Sequence, residues 1–171
     1  MNRKIVFILA LVAVVFGVVG FFLNYKLRFV HTALVTKMVA DHAKAWETGD
    51  ENLLASLLHK DAVFAYPGRR LNKEAALEDL RFFRSAYADT KVYINTMVID
   101  NDNVAVEWQF ATTKKETGKR EVVSDAIIAK IKNGQFIVWK EYLDGRVKGL
   151  QAEGSLELEE GEEPFPWPRK I

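Results

Sequence analysis

A chain of 171 residues is long enough for one globular domain with an adequate core, and its 24 basic and 23 acidic residues leave a formal charge of +1. Four of the basic residues, Arg3, Lys4, Lys26 and Arg28, flank the first hydrophobic run; the other 20 stand against 23 acidic ones, which excludes the clustered basic surface that nucleic acid demands. With no cysteine, the chain has no disulfides, thiolate metal sites, cysteine nucleophile or cysteine-linked lipid.

The segment Ile5 to Leu23, IVFILALVAVVFGVVGFFL, carries no charged or strongly polar side chain, and about 20 such residues cross a hydrocarbon core. Tyr25, Lys26 and Arg28 supply an interfacial anchor on one side, Arg3, Lys4 and the terminal amine on the other. A cleaved signal peptide would end its apolar stretch sooner and in small residues, whereas Phe21, Phe22 and Leu23 prolong it. The expectation is one uncleaved transmembrane helix that meets the bilayer through residues 5–23. Charge is nearly balanced across the span; a short N-terminal tail kept in the cytoplasm puts the globular domain on the extracytoplasmic side.

Apolar positions Val30, Leu34 and Met38, and Val35, Val39 and Trp46, recur at helical spacing, so a long amphipathic helix should continue from the anchor and end at Gly49. Asp50 is a good N-cap for a short second helix with Leu53, Leu54, Leu57 and Leu58 as its apolar stripe. DAVFAYPG reads as a strand closed by the Pro67-Gly68 turn, and Asn72 can cap a third helix that buries Ala76, Leu80, Phe83 and Tyr87. Four strands should follow: KVYINTMVI, NVAVEWQFATT, REVVSDAIIAKIK and QFIVWKEYLD. Between the last two, Asn133-Gly134 is a strong hairpin signal, since both residues accept the positive φ of a type I′ turn. Predicted boundaries are 1–28 for the anchor and its flanks, 29–148 for an α+β domain of helices on a curved antiparallel sheet, and 149–171 for an acidic, proline-containing tail.

This element order, with AWETGDENLLASLLHKDAVFAYPG, LNKEAALEDLRFF and KNGQFIVWKEYLD, resembles the nuclear-transport-factor-2-like superfamily, and within it the SnoaL-like domains. The similarity covers about residues 33–145 and implies a cone-shaped fold enclosing a pocket, preceded here by the transmembrane helix. It also implies a range of activities, from isomerases, cyclases, dehydratases and epoxide hydrolases to ligand sensors and assembly modules, so function has to come from the site. The ketosteroid isomerase pattern within the superfamily, a carboxylate base with tyrosine and aspartic acid donors, falls on Tyr66, His42 and Ile127, none of which carries it over. A phenol with a pKa near 10 is a poor base at neutral pH.

Period-two alternation in VVSDAIIAKI puts Asp125 on one face with Val123, Ile127, Ala129 and Ile131. There it is either a pocket acid or base raised by desolvation, or a partly exposed residue paired with Lys119 or Arg120. His42, on the long helix near Trp46, is a candidate proton relay to Asp125, or else a core histidine; Tyr66 completes the candidate catalytic set. Trp46, Phe64, Trp108, Phe110 and Tyr142 are candidates for lining a small apolar or aromatic ligand. His31, His42 and His59 have no metal-ligand spacing, and no motif calls for a cofactor. A homodimer through the outer sheet face, by way of Glu107, Gln109, Lys130 and Lys132, is a further expectation. Two functions remain open: a membrane-tethered ligand-binding or protein-assembly module, and a small-molecule lyase, isomerase or hydrolase using Asp125 with His42 and Tyr66.

Overall fold

The computed structural model describes residues 3–143, 145, 149, 150 and 153–155, with side chains from residue 15 onward. Most of the expected acidic tail, including PFPWP, lies outside the described residues, as do the side chains of residues 5–14 in the apolar run. Among the described residues, no helix is long and apolar enough to cross a membrane. Helix α1 runs Arg3–Thr48, and within it the chain divides into two compact units, Met1–Thr36 and Lys37–Ile171. In the first unit Phe16, Phe21, Phe22 and Leu23 are exposed.

The second unit holds the end of α1 and every later element: α2 (Glu51–Leu57), β1 (Leu58–Tyr66), β2 (Arg69–Leu71), α3 (Lys73–Ala86), β3 (Tyr87–Asp100), β4 (Asn103–Lys114), β5 (Arg120–Lys132) and β6 (Gln135–Leu143). Helix α1 stops where Gly49 takes a φ of +70°, a conformation that costs glycine little. Asp50 then caps α2 by accepting from the Leu53 N–H at 2.9 Å, and Asn72 caps α3 through the Ala75 N–H at 2.9 Å. Strand β1 begins at Leu58, earlier than the sequence pattern suggests, and Leu58 leaves the helical stripe to become its first, fully buried residue.

The sheet order is β2-β1-β6-β5-β4-β3. Two features differ from the expected antiparallel sheet. Arg69–Leu71 forms a short strand antiparallel to the end of β1, and β1 itself runs parallel to β6. The parallel pairing follows from the connection, because the five elements between β1 and β6, namely β2, α3, β3, β4 and β5, bring the chain back in the same direction. Asn133 and Gly134 have φ of +53° and +73°, as the β5–β6 hairpin requires. Register shifts in β3, between Ala88 and Lys91 and between Ile94 and Thr96, add residues to one strand only and bend the sheet.

The inner face of this curved sheet carries the core. Trp108, Trp139, Phe64, Phe136 and Ile127 are fully buried, and Val39, Trp46, Leu54, Ala76 and Leu80 bury from the helices. Each large apolar side chain removed from water contributes about 1.5–3 kcal/mol, so this cluster fixes the positions of the strands that meet it. On the outer face, Glu107, Lys130 and Lys132 are exposed as expected, but Gln109 is buried and donates its amide to Ser124 Oγ at 2.9 Å. It therefore does not belong to an exposed polar dimer surface.

Candidate functional site

The core does not fill the cone. A cavity of about 270 Å³ remains between the sheet and α3, walled by Trp46, Phe64, Trp108 and Phe110, with Phe82, Phe83 and Tyr87 also on it. Phe82, 71% exposed, marks its mouth. The carboxyl and hydroxyl side chains that line it are Tyr66, Asp79, Tyr87, Asp125 and Glu141, and among the described residues no lysine, arginine or histidine lines it.

Asp125 reaches the cavity because β5 alternates: Asp125, Ile127, Ala129 and Ile131 are buried, and Ala126, Ile128, Lys130 and Lys132 are exposed. Trp108 lies directly opposite on β4, and its indole Nε1 donates to Asp125 Oδ2 at 2.7 Å. Asp125 Oδ1 is buried without a partner among the described residues. Burial pushes the carboxyl up to about 7, against the opposing pull of the Trp108 hydrogen bond. Neither Lys119 nor Arg120 serves as its partner; Arg120 donates to the Asp89 carbonyl and to Thr113.

Glu141 is the residue that sequence alternation missed. Lys130 pairs with Val138 but Ile131 pairs with Phe136, so β6 carries an extra residue at Ile137. Past this bulge the phase of the strand is reversed. Trp139, Glu141 and Leu143 face inward opposite Ala129, Ile127 and Asp125, while Tyr142, opposite Ala126, is 58% exposed. Tyr142 therefore does not line the cavity, and Glu141 does. Its carboxylate accepts from Trp139 Nε1 at 2.7 Å. Burial and the nearby Asp125 carboxylate push the Glu141 carboxyl up to about 8. Asp125 and Glu141 are thus diagonal neighbours on adjacent strands, each held by an indole N–H, and ionising one disfavours ionising the other.

Asp79 enters from α3, three residues after buried Ala76 and four before Phe83, on the helical stripe that faces the sheet. Tyr66, the last residue of β1, donates its hydroxyl to Asp79 Oδ2 at 3.0 Å. Burial and this bond to Asp79 push the phenol up to about 12, so Tyr66 is a hydrogen-bond donor and not a base.

His42 does not line the cavity, and the structure does not support a relay from it to Asp125. It is fully buried behind the wall, stacked on Trp139 at 3.8 Å between ring centroids, with Trp108 at 5.8 Å and Phe64 at 6.0 Å. Neither ring nitrogen has a partner among the described residues, and burial pushes its pKa down to about 3. It is a neutral packing residue against the two tryptophans that hold the carboxyls. Among the described residues no group of three or more histidine, cysteine, aspartate or glutamate side chains is arranged to hold a metal ion.

Residues 39–139 match the sequence profile of the SnoaL-like domain. The chain belongs to this family. No curated protein matches it. Among solved structures, IdmH, a proposed polyketide cyclase from Streptomyces antibioticus, superimposes with a TM-score of 0.63 at 18% identity, over 69% of this chain and 97% of its own. A protein of ketosteroid isomerase-like fold from Catenulispora acidiphila, in complex with trimethylamine, gives 0.63 at 17% identity over 68% and 92%. An LEH-like epoxide hydrolase from M. tuberculosis gives 0.64 at 17% identity over 72% and 92%. At these identities the likeness is one of fold, and the SnoaL-like cone is the setting for the cavity described above.

Proposed function

We propose that this SnoaL-like domain binds a small, mainly apolar molecule in its cone and transfers protons to and from it with the Asp125 and Glu141 pair, as an isomerase or cyclase does. The observation that carries this is the placement of two adjacent carboxyl groups, each oriented by an indole and each poised near neutrality, on the wall of an open cavity. A general acid or base works best with a pKa near the operating pH, and two coupled carboxyls offer one of each at once. The aromatic walls exclude water and give a flat substrate surface to lie against. An assembly module would favour a filled cone, so the open cavity supports the ligand reading over that one. The relatives named above, a proposed cyclase and an epoxide hydrolase among them, are consistent with small-molecule chemistry in such a cone.

The test is proton exchange. The full chain, dispersed in detergent, is incubated in D₂O with a panel of small enolisable ketones and esters, and deuterium uptake is followed by mass spectrometry. The expected result is uptake into at least one compound that is lost in folded Asp125→Asn and Glu141→Gln variants. Uptake undiminished in both variants, or none across the panel, would overturn the proton-transfer reading.

The proposal extends to location. The uninterrupted apolar run Ile5 to Leu23 supports a single-pass anchor, with the domain on the extracytoplasmic side. Retention in the membrane fraction after alkaline extraction is the expected outcome; recovery of a soluble form beginning near Phe21 would show a cleaved signal peptide instead.

A further inference from the structure

The wall of the cavity combines two features that a neutral ligand does not need together. The aromatic side chains of Trp46, Phe64, Trp108 and Phe110 line it, and three carboxyl groups, Asp79, Asp125 and Glu141, reach it from three different elements. Among the described residues none of its lining side chains is cationic. Indoles satisfy one oxygen each of Asp125 and Glu141, and the Tyr66 hydroxyl satisfies one of Asp79. Asp125 is only 4% exposed, yet its Oδ1 has no partner among the described residues. A buried carboxylate oxygen left open in this way is normally completed by a positive charge or a donor.

We propose that the ligand of this cavity is a small organic cation, an amine or quaternary ammonium compound whose charged head sits against the aromatic rings and is balanced by Asp125 and Glu141. This rests on the reading of the cone as a small-molecule site and names the class of molecule it takes. Aromatic faces attract an alkylammonium through their quadrupoles, most strongly where water is excluded, and they do so without requiring it to donate a hydrogen bond. The carboxyls supply the net countercharge. A volume of about 270 Å³ suits a compact head group with a short substituent.

Binding is then coupled to protons. The titratable groups that share the cavity with the pair are Asp79 from α3, Tyr66 from β1 and Tyr87 from β3, with Arg69 of β2 acting on Tyr66; His42 lies behind the tryptophans. Against this mostly acidic surround, a cation favours the ionised forms of Asp125 and Glu141, so affinity should rise with pH and binding should release protons.

The experiment compares choline with 3,3-dimethylbutan-1-ol, which has the same shape but carries carbon in place of the charged nitrogen. Both are titrated into the full chain in detergent, with tryptophan fluorescence and calorimetry in two buffers of different ionisation enthalpy. Support is a preference for choline of at least about tenfold at pH 8.5, which shrinks several-fold at pH 5.5 and is lost in the Asp125→Asn, Glu141→Gln double variant. Equal affinity for the two compounds would overturn the cation proposal and leave the small-molecule cavity standing. Binding of neither, at concentrations where a bulkier neutral aromatic such as naphthalene binds, would do the same. Deuterium uptake into neutral ketones bears on proton transfer alone, so the two proposals fail separately.

Discussion

Replacing Asp125 by asparagine removes one ionisable group and little else, because the amide oxygen still accepts from Trp108 Nε1. The carboxyl lies at about 7 in the folded chain against 3.8 ordinarily, and it is 4% exposed. Below the ordinary value both folded and unfolded chains bind the proton, and ionisation costs nothing. As pH rises, the unfolded chain loses its proton first, so the folded state is progressively disfavoured until pH passes the folded value. The full effect is about 4 kcal/mol, of which about 2 to 3 kcal/mol develops between pH 5 and pH 8. Wild-type stability should therefore fall over that interval, and Asp125→Asn should gain about 2 kcal/mol on it by pH 8, whatever fixed difference the amide introduces. Urea unfolding followed by tryptophan fluorescence at pH 5, 6.5 and 8 measures both. A stability difference that stays flat across these three values would refute the claim that Asp125 is held in a desolvated cavity wall.

Three further outcomes follow from the same geometry. Trp108→Phe removes the N–H that holds the Asp125 carboxyl down, so a carboxyl-carbon NMR titration should find it higher than in the wild type; an unchanged midpoint would mean that the indole does not orient it. His42→Phe should flatten the acid limb of the stability curve, since a histidine held at about 3 contributes stability that is complete above 6.5 and is lost as pH falls from there towards 3. Gly49→Ala should cost about 1–2 kcal/mol in urea unfolding, because φ is +70° and the new methyl would lie 2.6 Å from Arg84 side-chain atoms; a neutral effect would show that the turn relaxes.

Local chemistry made much of the fold legible. Asp50 and Asn72 are caps because their side chains accept from the N–H groups three residues on, and Asn133-Gly134 turns because those residues tolerate positive φ. Asp125 was legible for the same reason, since β5 alternates without a fault through the site. Glu141 was hidden by the single bulge in β6: strict alternation from Phe136 leads to Val138, Lys140 and Tyr142, and so puts the tyrosine inside and the glutamate out. A clue was present in the spacing of Phe136 and Trp139, two large apolar residues three apart in a strand, which cannot share a face without an extra residue between them. The parallel β1–β6 pair and the brief β2 depend on long-range closure, which no local pattern specifies.

The arrangement of the two tryptophans explains why a pair of acids can sit on an apolar wall and still discriminate. Trp108 and Trp139 lie on the strands either side of β5, their rings 5.5 Å apart, with His42 stacked on both. Each points its N–H at a different carboxyl, so the orientation of both acids is set by one packed aromatic cluster and not by flexible polar side chains. That cluster leaves few polar atoms uncommitted at the cavity: Asp125 Oδ1 and Trp46 Nε1 have no partner among the described residues, one an acceptor when ionised and the other a donor. In the proposed reading a ligand would be oriented by these points, with the rings supplying contact area. Burial raises both carboxyls and, across the diagonal, ionising one disfavours ionising the other, which favours a single proton held by the pair. In the proposed reading one member would then serve as acid and the other as base at the same moment, so that a molecule lying between them would give a proton on one side and take it back on the other without waiting for solvent.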